Sequence, residues 1–160
     1  MNRLWAPWRT AYVGGSEPAA GCVFCGAVGG GDDRRHLVLV RGPASFLILN
    51  AYPYTAGHLM VVLNRHVASV EDAAVEELVD AMTLVQTATA ALRRAYGPDG
   101  FNIGINQGRA AGAGVEGHLH IHVVPRWGGD TNFMPVLGEV RVLPESLDST
   151  YDRLRVALLT

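Results

Sequence analysis

The chain has 160 residues, a length that suggests one domain with a core large enough to stand without disulfides. Apolar residues make up 49% and charged residues 18%, below the roughly 25% usual for soluble domains, which excludes disorder and points to extra buried surface. The net charge of −2, from 13 basic and 15 acidic residues, shows no basic excess for a nucleic-acid backbone, and no cationic run marks a membrane surface. No apolar run approaches the roughly 18 residues of a membrane span, and residues 1–12 lack the apolar core of a signal peptide. Two cysteines in such a chain are poor grounds for a structural disulfide. The expectation is a cytoplasmic, soluble, single-domain protein with no nucleic-acid or membrane partner.

The opening Leu4-Trp5-Ala6-Pro7-Trp8-Arg9 is aromatic but too short for a core element, and reads as an arm. Residues 14–31 are glycine-rich and read as loop, with Cys22-Val23-Phe24-Cys25 set into it. Strands are predicted over 36–40, 46–50 and 58–63, the last two joined by a turn at 51–57 into a hairpin. Ser69, with Asp72 three residues on, reads as the N-cap of a long helix near 70–96. Val75, Leu78, Met82, Val85, Leu92 and Tyr96 form its apolar face, and Gly97-Pro98 stops it. A strand over 101–105 precedes the glycine-rich loop 108–114. Another strand spans 118–124, a short one 140–142, and a terminal helix 144–159. Hairpins around one long helix predict an α+β domain: an antiparallel sheet of about five strands, one long helix and a C-terminal helix. The expected organisation is a single domain over 1–160, with arm and cysteine loop in 1–30, core in 31–143 and C-terminal helix in 144–160.

The strongest signal is Gly117-His118-Leu119-His120-Ile121-His122-Val123-Val124. Side chains alternate along a strand, so the three histidines share one face while Leu119, Ile121 and Val123 go to the core. A metal site made by all three is strained, because the outer two stand about 13 Å apart on an extended strand. The other reading divides labour along the row, with the middle imidazole as nucleophile. Neutral imidazole is nucleophilic near pH 7 and suits attack on phosphorus.

The run His-Leu-His-Ile-His-Val-Val resembles the signature of the histidine triad (HIT) superfamily of nucleotidyl hydrolases and transferases. The resemblance takes in the 4–9 arm, Cys22 to Cys25, Asn50-Ala-Tyr-Pro-Tyr54, Gly57-His-Leu-Met-Val-Val62, Arg65-His66-Val67, Phe101-Asn-Ile-Gly-Ile-Asn106 and Pro125-Arg-Trp127. With Pro-Arg-Trp-Gly-Gly-Asp at 125–130, it most resembles the bacterial diadenosine tetraphosphate phosphorylase-like branch. The resemblance implies a HIT-like fold and a covalent nucleotidyl-His120 intermediate at the α-phosphate, released by water or inorganic phosphate. His122 would lie beside His120 on the phosphate oxygens. Asn50 matches the residue that holds the ribose, and Asn106 an amide near the α-phosphate. Gly112, Ala113 and Gly114 would bring backbone N–H groups to the phosphates. Trp127 reads either as packing at the domain edge or as a wall for a nucleoside. Where eukaryotic members often carry Gly-Gln-Ser or Gly-Gln-Thr, this chain has Ala113-Gly114-Val115, so backbone donors must serve the leaving phosphates. Arg126 is a candidate cation for the acceptor phosphate. The resemblance also implies a homodimer through the long helix and the strand after it.

Cys22 and Cys25 have three readings: a redox pair, two unrelated buried thiols, or half of a tetrahedral zinc site. His66 and His118 are the candidate further ligands, as in zinc-containing relatives such as galactose-1-phosphate uridylyltransferase. Such a zinc would be structural, and no organic cofactor is expected. His58 is expected behind the triad as a hydrogen-bonded support, and His36 at the surface. Three functions compete: a nucleotidyl transferase or hydrolase acting on dinucleoside polyphosphates or another nucleotide-activated metabolite, a nucleotide-binding protein of low turnover, and a metal-dependent hydrolase. The intact histidine row favours the first.

Overall fold

Residues 21–130 and 145–159 are described in this computed structural model. Five strands form one antiparallel sheet in the order β1-β2-β3-β5-β4: β1 (Val38–Arg41), β2 (Ser45–Leu49), β3 (Leu59–Leu63), β4 (Gly100–Ile105) and β5 (His120–Arg126). Among the described residues three helices pack on it: α1 (Val23–Gly29), α2 (Val75–Tyr96) and α3 (Leu147–Leu159). The α+β expectation holds. The expected 4–9 arm and 140–142 strand lie outside the described residues.

Each sheet face has its own apolar cluster. On one face Leu39, Leu47, Leu49, Leu59, Val61 and Val123 meet Leu84, Val85, Ala88 and Leu92 of α2 and Tyr151 and Leu154 of α3. On the other, Val38, Phe46, Ile48, Met60 and Val62 meet Phe24 and Ala27 of α1. The central strands β2 and β3 are buried along their whole length, which accounts for their near-continuous apolar runs.

Three expectations are corrected. The Cys22–Cys25 segment is not a loop: Cys22 is the N-cap of α1, and the helix runs on through Gly26. Glycine costs about 1 kcal/mol in a helix interior, but burial of Phe24 and Ala27 against the sheet outweighs it. The long helix begins at Val75, not near 70. The Ser69 hydroxyl bonds the Asp72 carboxylate, while Glu77 Oε2 accepts the Ala74 N–H at the true start. Of its expected apolar face, Val75 and Met82 are exposed, and Ala81, Ala88 and Ala91 face the core in their place. Small alanines let the helix lie close on the sheet. Gly97 ends it with φ of 55° and its N–H on the Arg93 carbonyl, as expected.

At the turn between β2 and β3, Gly57 has φ of 77°, and a Cβ there would stand 2.9 Å from Leu92 Cδ2. The turn is tied to the end of β5 by the Thr55 hydroxyl, which donates to the Pro125 carbonyl. α3 is fastened by Tyr151 and Arg155, which donate to the carbonyls of Val38 and Leu39.

Candidate functional site

Cross-strand partners share a face, so Met60 opposite His122 and Val62 opposite His120 put the histidines on the α1 side of the sheet. β5 starts at His120, two residues later than expected, and His118 sits just before it. Phe24 lies against both rings, with centroids 5.5 Å from His118 and 5.1 Å from His120. Both histidines are buried, at 0% and 4% exposure, whereas His122 is half-buried. The row is therefore closed over by α1 at the His118 end and open at the His122 end.

Main-chain carbonyls fix two of the three tautomers. His120 Nδ1 lies 2.8 Å from the His118 carbonyl and must donate to it. His120 Nε2 is left with its lone pair. Burial pulls this imidazole below its ordinary pKa, against a smaller upward effect of the carbonyl bond. The ring is thus held neutral with a free nucleophilic nitrogen near neutral pH. His118 Nε2 donates to the Leu63 carbonyl at 2.7 Å, so its lone pair is on Nδ1. Burial lowers its pKa as well.

The third tautomer is fixed through a relay. The Tyr54 N–H donates to His58 Nδ1 at 3.1 Å, so His58, when neutral, carries its proton on Nε2. That nitrogen is 3.0 Å from His122 Nδ1 and donates to it. His122 then presents Nε2–H, with its ring centroid 4.9 Å from that of His120. The Tyr54 ring stacks on His122 at 6.0 Å. His58 is fully buried and stands behind the row as expected. A nucleophilic nitrogen and a hydrogen-bond donor side by side can serve attack on an oxyanion-bearing centre.

The His118 lone pair faces the cysteines. Its Nδ1 lies 3.3 Å from Cys22 Sγ and 3.7 Å from Cys25 Sγ, and Cys25 Sγ lies 3.2 Å from His66 Nδ1. All four ligand atoms lie within 4.8 Å of one another. A tetrahedral zinc with S and N ligands needs them about 3.3–3.8 Å apart. Desolvation, and then the neighbouring Cys22, raise the Cys25 thiol above its ordinary value, a disfavoured thiolate pair that a cation would stabilise. The four expected ligands converge and fit a metal ion.

Asn50 is buried at the end of β2. Its Oδ1 accepts the Tyr52 N–H at 2.8 Å, and its Nδ2 lies 3.3 Å from His58 Nδ1. Asn50 and His58 also line a cavity of about 200 Å³ with Ser146 and Thr150 at the start of α3. Asn106 lies one residue beyond the Ile105–Ile121 pair, level with His120, on the face shared by Gly104 and His122. Gly104, opposite His122, leaves open space beside the row. Gly112 (φ 86°), Ala113 and Gly114 follow a 3-10 turn at Arg109–Ala111, in the loop leading back to His118. Half-buried Trp127 donates its main-chain N–H to Asp130 Oδ2.

Arg126 is not available as a cation for phosphate. Its Nε and Nη2 are held by the Asp130 carboxylate at 2.6 and 2.8 Å, and its Nη1 by Asn102 Oδ1 at 2.6 Å. It closes the turn after β5. Sequence reasoning gave no role to Phe24, although its place between the cysteines was a usable signal. The Leu63 and His118 carbonyls carry no sequence signal.

Comparison with known proteins agrees with this geometry. The HIT domain profile matches residues 34–129. A Mycobacterium tuberculosis protein named AP-4-A phosphorylase is 38% identical over 160 aligned positions, covering 94% of this chain and 80% of its own. The Schizosaccharomyces pombe adenosine 5'-monophosphoramidase hnt1 is 31% identical over 105 positions, 66% of this chain and 74% of its own. Among solved structures, a Zn-bound histidine triad family protein from Mycobacterium smegmatis superposes with a TM-score of 0.70 at 29% identity, covering 87% of this chain and 94% of the other. The chain belongs to the HIT family, and it is an enzyme of that family.

Proposed function

We propose that the protein transfers a nucleotidyl group from a dinucleoside polyphosphate, with diadenosine tetraphosphate as the representative substrate. His120 Nε2 forms a bond to the α-phosphorus, the bond from that phosphorus to the bridging oxygen breaks, and ATP leaves. An oxygen of inorganic phosphate then attacks the same phosphorus, the P–N bond breaks, and ADP leaves. Throughout, His120 keeps its Nδ1–H on the His118 carbonyl, which stabilises the cationic intermediate. His122 Nε2–H bonds the phosphate oxygens. Asn50 serves the ribose, Asn106 and the Gly112-Ala113-Gly114 backbone the phosphates, and Trp127 a nucleoside. The observation that carries this reading is the buried His120 with its tautomer fixed by a carbonyl.

Cys22, Cys25, His66 and His118 hold a structural zinc in this reading. With four protein ligands the ion has no open position for a water nucleophile. A single domain over 1–160, working in the cytoplasm as a homodimer, completes the proposal. Exposed Val75, Val79 and Met82 on α2, with Ile103 and Ile105 on the edge strand β4, support a dimer face. Light scattering is expected to give twice 17.1 kDa, and a fully active monomer would refute it.

Rapid quench with α-labelled diadenosine tetraphosphate tests the chemistry. Label is expected on wild-type protein, with ADP and ATP as products in millimolar phosphate. If AMP forms at every phosphate concentration, water is the acceptor. If no protein-bound label forms during turnover, His120 is not a nucleophile.

A further inference from the structure

A polyphosphate substrate carries a negative charge on every phosphate, and among the described residues the site offers it little positive charge. The chain contains no lysine. Arg126 is spent on Asp130 and Asn102. Arg65 is forked onto Glu77, and Arg41 is bound to Asp33 and the carbonyls of α1. From Gly104 to Arg126, the stretch that carries the histidine row and its glycine loop, one other cation exists: Arg109.

Its position follows from the chain path. Asn106 lies level with His120, and Arg109 comes three residues later, at most about 10 Å along the backbone. Gly108 (φ 78°) turns the chain just before it, and Gly112 (φ 86°) just after the 3-10 turn. Arg109 Nε donates to Glu116 Oε1 at 2.8 Å, and Glu116 is two residues from His118. The ion pair thus ties together the two ends of the loop that leads into the histidine row. Arg109 is 85% exposed and Glu116 42%, so the pair is solvated and contributes little to stability. It engages Nε, while the edge formed by the two terminal nitrogens remains to bind an oxyanion through two parallel bonds.

We infer that Arg109 determines specificity for the length of the phosphate chain, exchanging Glu116 for the phosphates beyond the α-phosphorus. This rests on the nucleotide reading of the site. Glu116 is the competing anion: it holds Arg109 at the loop when no polyphosphate is present, and it opposes short ligands that cannot displace it. Discrimination then comes from charge placed beyond the reacting phosphorus rather than from the histidines, which every nucleotide substrate meets alike.

Calorimetric binding of adenosine 5'-tetraphosphate and AMP to the full chain tests this apart from turnover. Wild type is expected to prefer the tetraphosphate, with the preference weakening as salt rises. Arg109→Gln should weaken tetraphosphate binding about tenfold and leave AMP within about twofold. Arg109→Lys, a point charge without the fork, should fall between. Glu116→Gln should tighten the tetraphosphate about threefold, because a competing anion is gone. If Arg109→Gln leaves the ratio of the two affinities unchanged, or weakens both alike, Arg109 has no such role while the nucleotide reading survives. If wild type binds neither ligand, the nucleotide reading falls and this inference with it.

Discussion

The two faces of the sheet are built from the same alternation and do different work. The α2–α3 face is aliphatic from β1 to β5 and is covered along its length by two long helices. The α1 face is apolar on β1, β2 and β3 and carries imidazoles on β5, with a helix of seven residues over one end. On the first face burial is nearly complete across β2, β3 and β5 and gives way at the edge strand, where Ile103 and Ile105 are exposed; on the second it is graded along β5, with His118 and His120 sealed and His122 half-open. Both faces hold apolar packing, but the proposed chemistry belongs to the second alone, and the gradient along β5 separates the cluster of candidate metal ligands from the more open end of the row.

Substitutions on each face can break that separation. The largest effect is expected for His120→Ala, which should lower kcat at least about 100-fold with an unchanged far-UV spectrum, since loss of a nucleophile removes the covalent route. Residual turnover above about 1% would mean that the histidine face does not carry the chemistry through this residue. Leu92→Ala, on the opposite face and fully buried, should cost about 3 kcal/mol in urea unfolding and leave kcat per folded molecule unchanged. A tenfold fall in its kcat would show that the faces are coupled.

Cys22→Ser with Cys25→Ser tests the sealed end. Metal analysis should fall from one zinc per chain to none, with Tm lower by about 4–8 °C, equivalent to roughly 2 kcal/mol for a chain of this size. A wild-type protein that holds no metal, with cysteines freely reactive to a thiol reagent, would remove the ion from the account. The smallest effect is expected at Glu77, where the Arg65 guanidinium and the Ala74 N–H hold the carboxyl down to about 2. A lowered pKa in the folded state contributes stability above the unfolded value, lost as pH falls from about 5 towards 2. Glu77→Ala should cost about 1 kcal/mol at pH 7 and flatten that acid limb of the stability curve.

Much of this was legible in the sequence, for reasons that differ by residue. The strands were readable because β2 and β3 are buried throughout and so are near-continuous apolar runs. The histidine row and the four converging ligands were readable from residue type and from resemblance to a family. α1 was not, because Gly26 and Gly29 weaken any helical signal and only contact with the sheet offsets them. The inward face of α2 was misread because alanines, not the larger Val75 and Met82, lie against the strands. Arg126 was misassigned because a sequence shows a charge and not its partner; Asp130, four residues on, takes it. The tautomers were invisible, since two of them depend on carbonyls that every residue possesses.

Tautomers held by carbonyls constrain how the site can evolve. The proton of His120 is positioned by the carbonyl of residue 118, an atom that survives any side-chain mutation there. A lineage can lose His118, and with it a candidate metal ligand, and still inherit the tautomer on which the proposed role of His120 depends. The proton of His122, by contrast, is set through a side chain, that of His58, so a substitution there changes a contact that His120 does not need. Divergence among descendants of this fold should therefore be tolerated at the sealed end of the row and punished at the open one.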